Sequence, residues 1–491
     1  MSYGPPCWRS LTLPSLLTHF RGHIKKNIPH SRNYHYQSSE SEGINEEWPL
    51  AGEHYHIGGK LTRKHSLQDT SRVHENETRS YGLWGNDAFN FPYKAVTITN
   101  VEIDLIFGSG GKLVVNISRL AHTHRDNCQC KKCINLDTLQ KSFNIFSVPE
   151  NIIPNEVVTE RGGLKVIWPE GDDLHVSFYP WNWILKKSSL TDGIHKKKLE
   201  LKSDFYTYWG SEVEYEEPSV CYNEIMSCEK GVGKWTDMIR KYGFCYVDNC
   251  PISPKETKRL IERISFIRET HYGGFYDFTS DLSMKDTAYT TIALQPHTDT
   301  TYFTDPAGLQ MFHLLTHENG SGGASILVDG FKAAKILKLE CPQKYKILCS
   351  KPVPARTVGN KGITVRPAKT FPVFNLKDLV LGEDEAELYQ IRWNNDDRGA
   401  FTLEDTISGN VEKWYTAARS FQSIINMSEM QYKTQLKPGR PLIFDNWRIL
   451  HGRTAFTGKR RICGAYVNHD DYISRWLNTN YPRERILDEI S

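Results

Sequence analysis

His297-Thr298-Asp299, answered far downstream by His451 inside Asp445-Asn446-Trp447-Arg448-Ile449-Leu450-His451-Gly452-Arg453, is the pair of stretches on which fold and chemistry turn. The His-x-Asp spacing puts alternate side chains on one side of an extended segment. Two imidazoles and one carboxylate fill one face of an octahedral metal and leave three positions open, the ligand set of non-haem Fe(II) oxygenases. His451 then has to come from another strand of the same barrel. A lone His or Asp is more often a satisfied polar group than a ligand, so the short motif has little weight without its flanks.

Around this pair the chain reads as strands. Ala324–Val328, Leu388–Trp393, Pro441–Phe444 and Ile462–Val467 are short apolar or β-branched runs between turn signals, with no βαβ alternation. Ser253-Pro254-Lys255-Glu256 is a helix start, with a Ser N-cap, Pro at the first helical position and Glu three residues after the cap. Leu260, Ile261, Ile264 and Ile267 follow as one apolar face, and helices are otherwise expected to be few. A double-sheet jelly roll, or double-stranded β-helix, accounts best for residues 233–480. Upstream, Val101–Phe107, Lys112–Ile117 and Leu164–Trp168 mark a small β-rich domain over 95–210, and the polar stretch 211–232 reads as a connection. The fold class is therefore mainly β with helices.

A formal net charge of +3 gives no basis for a nucleic-acid surface, and no apolar run approaches a bilayer span. The first 39 residues contain Arg9, Arg21, Lys25, Lys26 and Arg32 without one acid, mixed with apolar and hydroxyl residues. That is the composition of a mitochondrial transit peptide, so 1–80 is read as a targeting and linker region and the destination as the matrix, with the cytoplasm as the alternative. The 11 cysteines are an odd number in a long chain, which argues against a disulfide framework. Cys128, Cys130 and Cys133 crowd into one short loop, and His175 completes a Cys₃His set able to close a tetrahedral structural zinc site. His122 and His124 are spare ligands nearby.

Sites with two histidines and a carboxylate usually take 2-oxoglutarate, whose far carboxylate needs a fixed cation. The planar fork of arginine suits that task. Arg460 is the first choice, Arg453 and Arg461 compete with it, and Ser325 supplies a hydroxyl donor.

Several runs together are specific. Asp286–Thr290, His297–Phe303, Leu327–Phe331, Asp445–Arg453 and Gly464-Ala465-Tyr466 resemble the γ-butyrobetaine hydroxylase / trimethyllysine dioxygenase family. Glu262–Ser265, Ile267–Thr270 and Phe278–Asp281 resemble its trimethyllysine branch. The resemblance covers roughly 95 to 475. It implies an Fe(II)- and 2-oxoglutarate-dependent dioxygenase that uses O₂, with ascorbate keeping iron reduced, acting on a trimethylammonium amino acid in carnitine biosynthesis. It implies His297, Asp299 and His451 as iron ligands, Arg460 and Ser325 on 2-oxoglutarate, and zinc on Cys128, Cys130, Cys133 and His175. A trimethylammonium group cannot donate a hydrogen bond and is held by aromatic faces and nearby negative charge. The resemblance assigns that role to Tyr272, Tyr276, Tyr289, Tyr466 and Asp286, with Tyr276 standing where the family more often has Trp. It also places an amide, Asn394 or Asn395, near the substrate. A homodimer is expected. γ-Butyrobetaine hydroxylation is the alternative reaction, and a catalytically inactive metal-binding relative is the alternative class.

Overall fold

The computed structural model describes residues 93–98, 102–107, 112–116, 121–181, 183–184, 206–279, 290–377 and 386–490. The expected targeting region 1–80 lies outside them, as do Asp286 and Tyr289.

Two small antiparallel sheets come first. β1 (Tyr93–Ile98), β2 (Glu102–Phe107) and β3 (Lys112–Asn116) form one; β4 (Glu156–Glu160), β5 (Gly163–Glu170) and β6 (Asp173–Pro180) form the other. The larger assembly is built from β7 (Ser219–Cys221), β8 (Phe244–Asp248), β9 (Ile267–Arg268), β10 (Tyr276–Thr279), β11 (Leu294–His297), β12 (Leu309–Glu318), β13 (Ser325–Asp329), β14 (Phe374–Leu376), β15 (Leu388–Ile391), β16 (Tyr432–Thr434), β17 (Leu442–Asp445), β18 (Ile449–Arg453) and β19 (Lys459–Val467). A seven-stranded sheet runs β10-β19-β12-β17-β8-β7, with β9 also paired to β19. A four-stranded sheet runs β11-β18-β13-β16, and β14 pairs with β15.

The alternation of side chains decides what each face meets. Leu442 and Phe444 of β17 join Leu327, Tyr432 and Ile449 in a core between the two main sheets. Ile443, between them in sequence, points the other way, onto Trp235, Ile239, Leu260 and Trp476 of the helices Glu229–Tyr242, Pro254–Ile261 and His469–Asn480. Val328 and Leu450 face a third core, formed by the helices Gly330–Glu340, Pro342–Ser350 and Asn410–Ile425. Strands covered on both faces read as continuous apolar runs, and β13, β17 and β18 are buried at every residue.

The expected strands are present, but helices are more numerous than the sequence reading allowed. Asn410–Ile425 buries Val411, Trp414, Ala417, Ala418, Phe421, Ile424 and Ile425, a helical period along one face. The Ser253 cap forms as expected, its side chain accepting from the Glu256 N–H. The helix ends at Ile261, however, where Arg263 and Ile264 turn back with tighter bonds to Leu260 O and Ile261 O. Ile267 therefore lies in β9, paired with Val467, and not on the helix face. The stretch 211–232 is not a connection either. It holds β7, parallel to β8, and buries Val220 and Ile225 in the helix-side core. No helix among the described residues is long and apolar enough to cross a membrane.

One buried ion pair ties these layers together. Arg448 grips both carboxylate oxygens of Asp329 at 3.1 and 2.8 Å, and both side chains are fully buried. Its remaining donors reach Lys241 O and Thr207 O, while Asp329 also caps the helix Gly330–Glu340. Removing one partner of such a pair leaves an uncompensated charge. Arg448→Leu is expected to cost about 3–5 kcal/mol, read as a lower denaturant midpoint with an unchanged slope.

Candidate active site

β11 and β18 pair antiparallel with His297 opposite His451, so two strands distant in sequence bring the imidazoles together, their ring centroids 4.4 Å apart. Gly452 makes that approach possible: a Cβ there would sit 2.6 Å from Leu294 O. Asp299 follows two residues after β11, in a turn where Thr300 adopts a left-handed φ of 57°. The turn is held from several sides. Asn446 Oδ1 accepts from the Asp299 N–H at 2.7 Å, and its Nδ2 donates to Asp299 O and Ala307 O. Thr298 exchanges hydrogen bonds with the backbone of Trp393, and Thr300 Oγ1 accepts from Ala307 N–H.

His297 Nε2 and His451 Nε2 lie 3.1 and 3.7 Å from Asp299 Oδ1, and one donor atom from each residue falls within 4.8 Å of the others. Neighbouring ligands on an octahedral ion at about 2.1 Å would be about 3 Å apart, so the set is compatible with one shared metal. His297 Nδ1–H donates to Gln295 O at 2.8 Å, which fixes the ring with Nε2 toward Asp299 and the rest of the cluster. The cluster attracts positive charge. Burial opposes ionisation of Asp299, but the His451 and His297 imidazoles and the Tyr466 hydroxyl hold its carboxyl below the usual carboxylate range. Burial likewise works against a charged His297, yet Asp299 raises it to about 9. Burial and the neighbouring His297 push His451 down to about 3.

The cluster opens into a cavity of about 540 Å³ between the two main sheets. Arg460 and Ser325 line it, as do Tyr272, Tyr276, Asn394, Asn395 and Tyr466. Arg460 is 3% exposed, its Nε has no hydrogen-bond partner, and no acid among the described residues pairs with it. Burial and the adjacent Arg453 lower it to about 10. A buried, unsatisfied guanidinium facing a cavity matches the need of a small dianion. Of the two competitors, Arg453 lines the same cavity and donates to Thr290 O and Ile292 O. Arg461 lies on the opposite face of β19 and is taken up by Asp277 in a two-point pair.

At the aromatic end, Tyr276 and Tyr466 meet edge to face at 6.0 Å. Tyr276 donates to Met311 O, and Tyr272 shares a hydrogen bond with Tyr302, a buried lining residue not singled out from sequence. Gly464 is required here, because a Cβ would stand 1.8 Å from Met311 O and 2.8 Å from the Tyr276 hydroxyl. Tyr466 does more than present a ring, since its hydroxyl donates to Asp299 Oδ2 at 2.8 Å. Asn394 spends its amide locally, donating to Asp397 and capping the Asp396 N–H. Asn395 accepts from Arg398, and its NH₂ makes no hydrogen bond among the described residues.

A second cluster sits between β5, β6 and the loop after the helix Ala121–Asp126. Cys128, Cys130 and Cys133 Sγ lie 3.3, 3.8 and 3.5 Å from His175 Nε2. A tetrahedral zinc with ordinary Zn–S and Zn–N lengths implies about 3.5 Å, so the donors fit the ion. Cys128 and Cys133 share a hydrogen bond that pulls the Cys128 thiol down and drives Cys133 up. Two partners escaped the sequence reading. Glu170 sits 3.2 Å from His175 Nδ1, and Arg125 bridges Glu170 to Cys133 Sγ at 3.0 Å each. His124 packs against Tyr179 instead of joining the set.

Comparison with known proteins identifies the family. Residues 210–466 match the family "Taurine catabolism dioxygenase TauD, TfdA family". A trimethyllysine dioxygenase from Neurospora crassa is 46% identical over 400 residues, 75% of this chain and 82% of that protein. The chain belongs to the trimethyllysine dioxygenase family. A mitochondrial trimethyllysine dioxygenase from Homo sapiens is 37% identical over 359 residues, 71% of this chain and 80% of that protein. A γ-butyrobetaine dioxygenase from Homo sapiens is similar at 28% over 355 residues, 72% of this chain and 88% of that protein. As a member of this family the protein is a dioxygenase, and its catalytic fold is the curled double sheet of TauD-type oxygenases.

Asn446 is the residue on which the Asp299 turn depends. Asn446→Leu leaves buried backbone groups unpaired, each costing about 1–3 kcal/mol. Thermal or denaturant unfolding is expected to show that loss, and equilibrium dialysis to show weaker metal retention.

Proposed function

We propose that this protein hydroxylates N6,N6,N6-trimethyllysine at C3, the first step of carnitine biosynthesis, using Fe(II), 2-oxoglutarate and O₂. The observation that carries the reading is a His297–Asp299–His451 cluster and an orphaned buried Arg460 in one cavity. Bound iron with the keto acid supplies the oxidising chemistry: O₂ is consumed, 2-oxoglutarate becomes succinate and CO₂, and one oxygen enters the substrate as hydroxyl. The protein's share is position and dryness. His297, Asp299 and His451 offer three donors from one side. Arg460, with Ser325, holds the far carboxylate of the co-substrate. Tyr272, Tyr276 and Tyr466 receive the trimethylammonium group on their faces, with Tyr289 and Asp286 assigned to the same cage. Phe278 and Phe312 line the cavity with them and keep water from the reacting carbon. Asn395 lines the cavity with its NH₂ exposed, whereas Asn394 is engaged by Asp397, so Asn395 is assigned to the amino-acid end.

In the same reading, ascorbate keeps the iron reduced, and Cys128, Cys130, Cys133 and His175 hold one structural zinc in an amino-terminal domain over 95–210. The catalytic domain occupies 233–480 together with the strand and helices folded ahead of it. The acid-free basic amino terminus and the mitochondrial human relative support a mitochondrial location. A homodimer remains part of the proposal.

The deciding experiment incubates the protein with Fe(II), 2-oxoglutarate and O₂ plus either trimethyllysine or γ-butyrobetaine, and follows products by mass spectrometry. Hydroxylated trimethyllysine is expected; turnover of γ-butyrobetaine alone would overturn the assignment. Arg460→Ala is expected to raise the KM for 2-oxoglutarate about 30-fold or more, as truncating one partner of a buried charge pair costs about 2–5 kcal/mol. An unchanged KM would remove Arg460 from its role. Metal analysis of the purified chain is expected to find one tightly held zinc, lost in Cys130→Ser.

A further inference from the structure

We propose that Gln310 is a positioning residue for the Asp299 carboxylate, restricting it to metal ligation through Oδ1. Gln310 lies on β12 opposite Tyr466 of β19, both facing the cavity. Its Nε2 donates to Asp299 Oδ2 at 2.8 Å, and the Tyr466 hydroxyl donates to the same oxygen at 2.8 Å. Two donors converge on Oδ2, while Oδ1 alone faces His297 and His451. A carboxylate with one oxygen so engaged does not swing to chelate an ion through both, which preserves the open positions the chemistry needs.

The orientation of the amide is itself informative. Gln310 is 3% exposed, and its Oε1 is buried with no hydrogen-bond partner. Leaving a buried acceptor unsatisfied is unfavourable. The opposite orientation would set Oε1 against the Asp299 oxygen, a repulsive contact. The residue thus tolerates an orphaned acceptor to place its donor on Asp299. A glutamine kept only for packing would be better replaced by an apolar side chain of similar size.

This inference rests on the metal-binding reading above, and the test separates the two. Co(II) binding to wild type, Gln310→Met and Gln310→Leu would be measured by calorimetry and by the visible absorption of the bound ion, alongside the unfolding temperature without metal. Both variants remove donor and orphan together. Unfolding temperatures at or above wild type are expected, with Co(II) affinity about 10- to 100-fold weaker and an altered absorption spectrum as Asp299 gains freedom. Wild-type affinity and spectrum in both variants would overturn the role of Gln310 and leave the metal site standing. A lowered unfolding temperature with unchanged affinity would make Gln310 a structural residue only. Failure of the wild-type chain to bind Co(II) would overturn the metal reading and this inference with it.

Discussion

The antiparallel pairing of β11 with β18, with His297 opposite His451, is the constraint on which the site depends. Side chains on a strand alternate between faces, so a slip of one residue would turn His451 out of the cavity toward the outer helices. The neighbours of His451 show what holds the register. Leu450 is committed to the helix-side core and Ile449 to the core between the sheets, so a slip would exchange two buried environments as well as a ligand. Gly452 lets the two backbones close, and Asn446 fastens the turn that carries Asp299.

The cavity that results is polar in an ordered way. Asp299 gathers positive charge from one side and hydrogen-bond donors from the other. Arg460 faces the same low-dielectric space with no acid among the described residues paired to it. Such groups are unfavourable in an empty fold and become favourable only with counter-charges between them. The buried charge elsewhere in the molecule has the opposite character. Arg448 and Asp329 satisfy one another almost completely, and they belong to architecture although Arg448 sits in the same sequence run as His451.

Much of the site was legible because its residues come in short, ordered words. His297-Thr298-Asp299, the Cys128-x-Cys130-x-x-Cys133 loop and Gly464-Ala465-Tyr466 each place chemistry at a fixed spacing. Gln310, Tyr302, Glu170 and Arg125 were not legible. A glutamine or tyrosine on a strand looks like any other until the strand opposite is known, and Glu170 matters only because a hairpin turns it back toward His175. Helices were underestimated for a related reason: Asn410–Ile425 has a clear apolar period, but its need for a sheet to cover was invisible in one dimension.

The sequence by itself determined the candidate ligand types, a short set of candidate arginines, the strand-rich composition and the family resemblance, because these rest on residue identity and local spacing. The tertiary structure alone decided that Arg460 and not Arg461 enters the cavity, since the two adjacent residues point to opposite faces of β19. It alone showed that Asn394 is engaged by its own turn and that Tyr466 holds Asp299 as well as lining the cavity. Direction and distance across strands are products of pairing, and pairing is settled by which surfaces bury each other once the whole chain has folded.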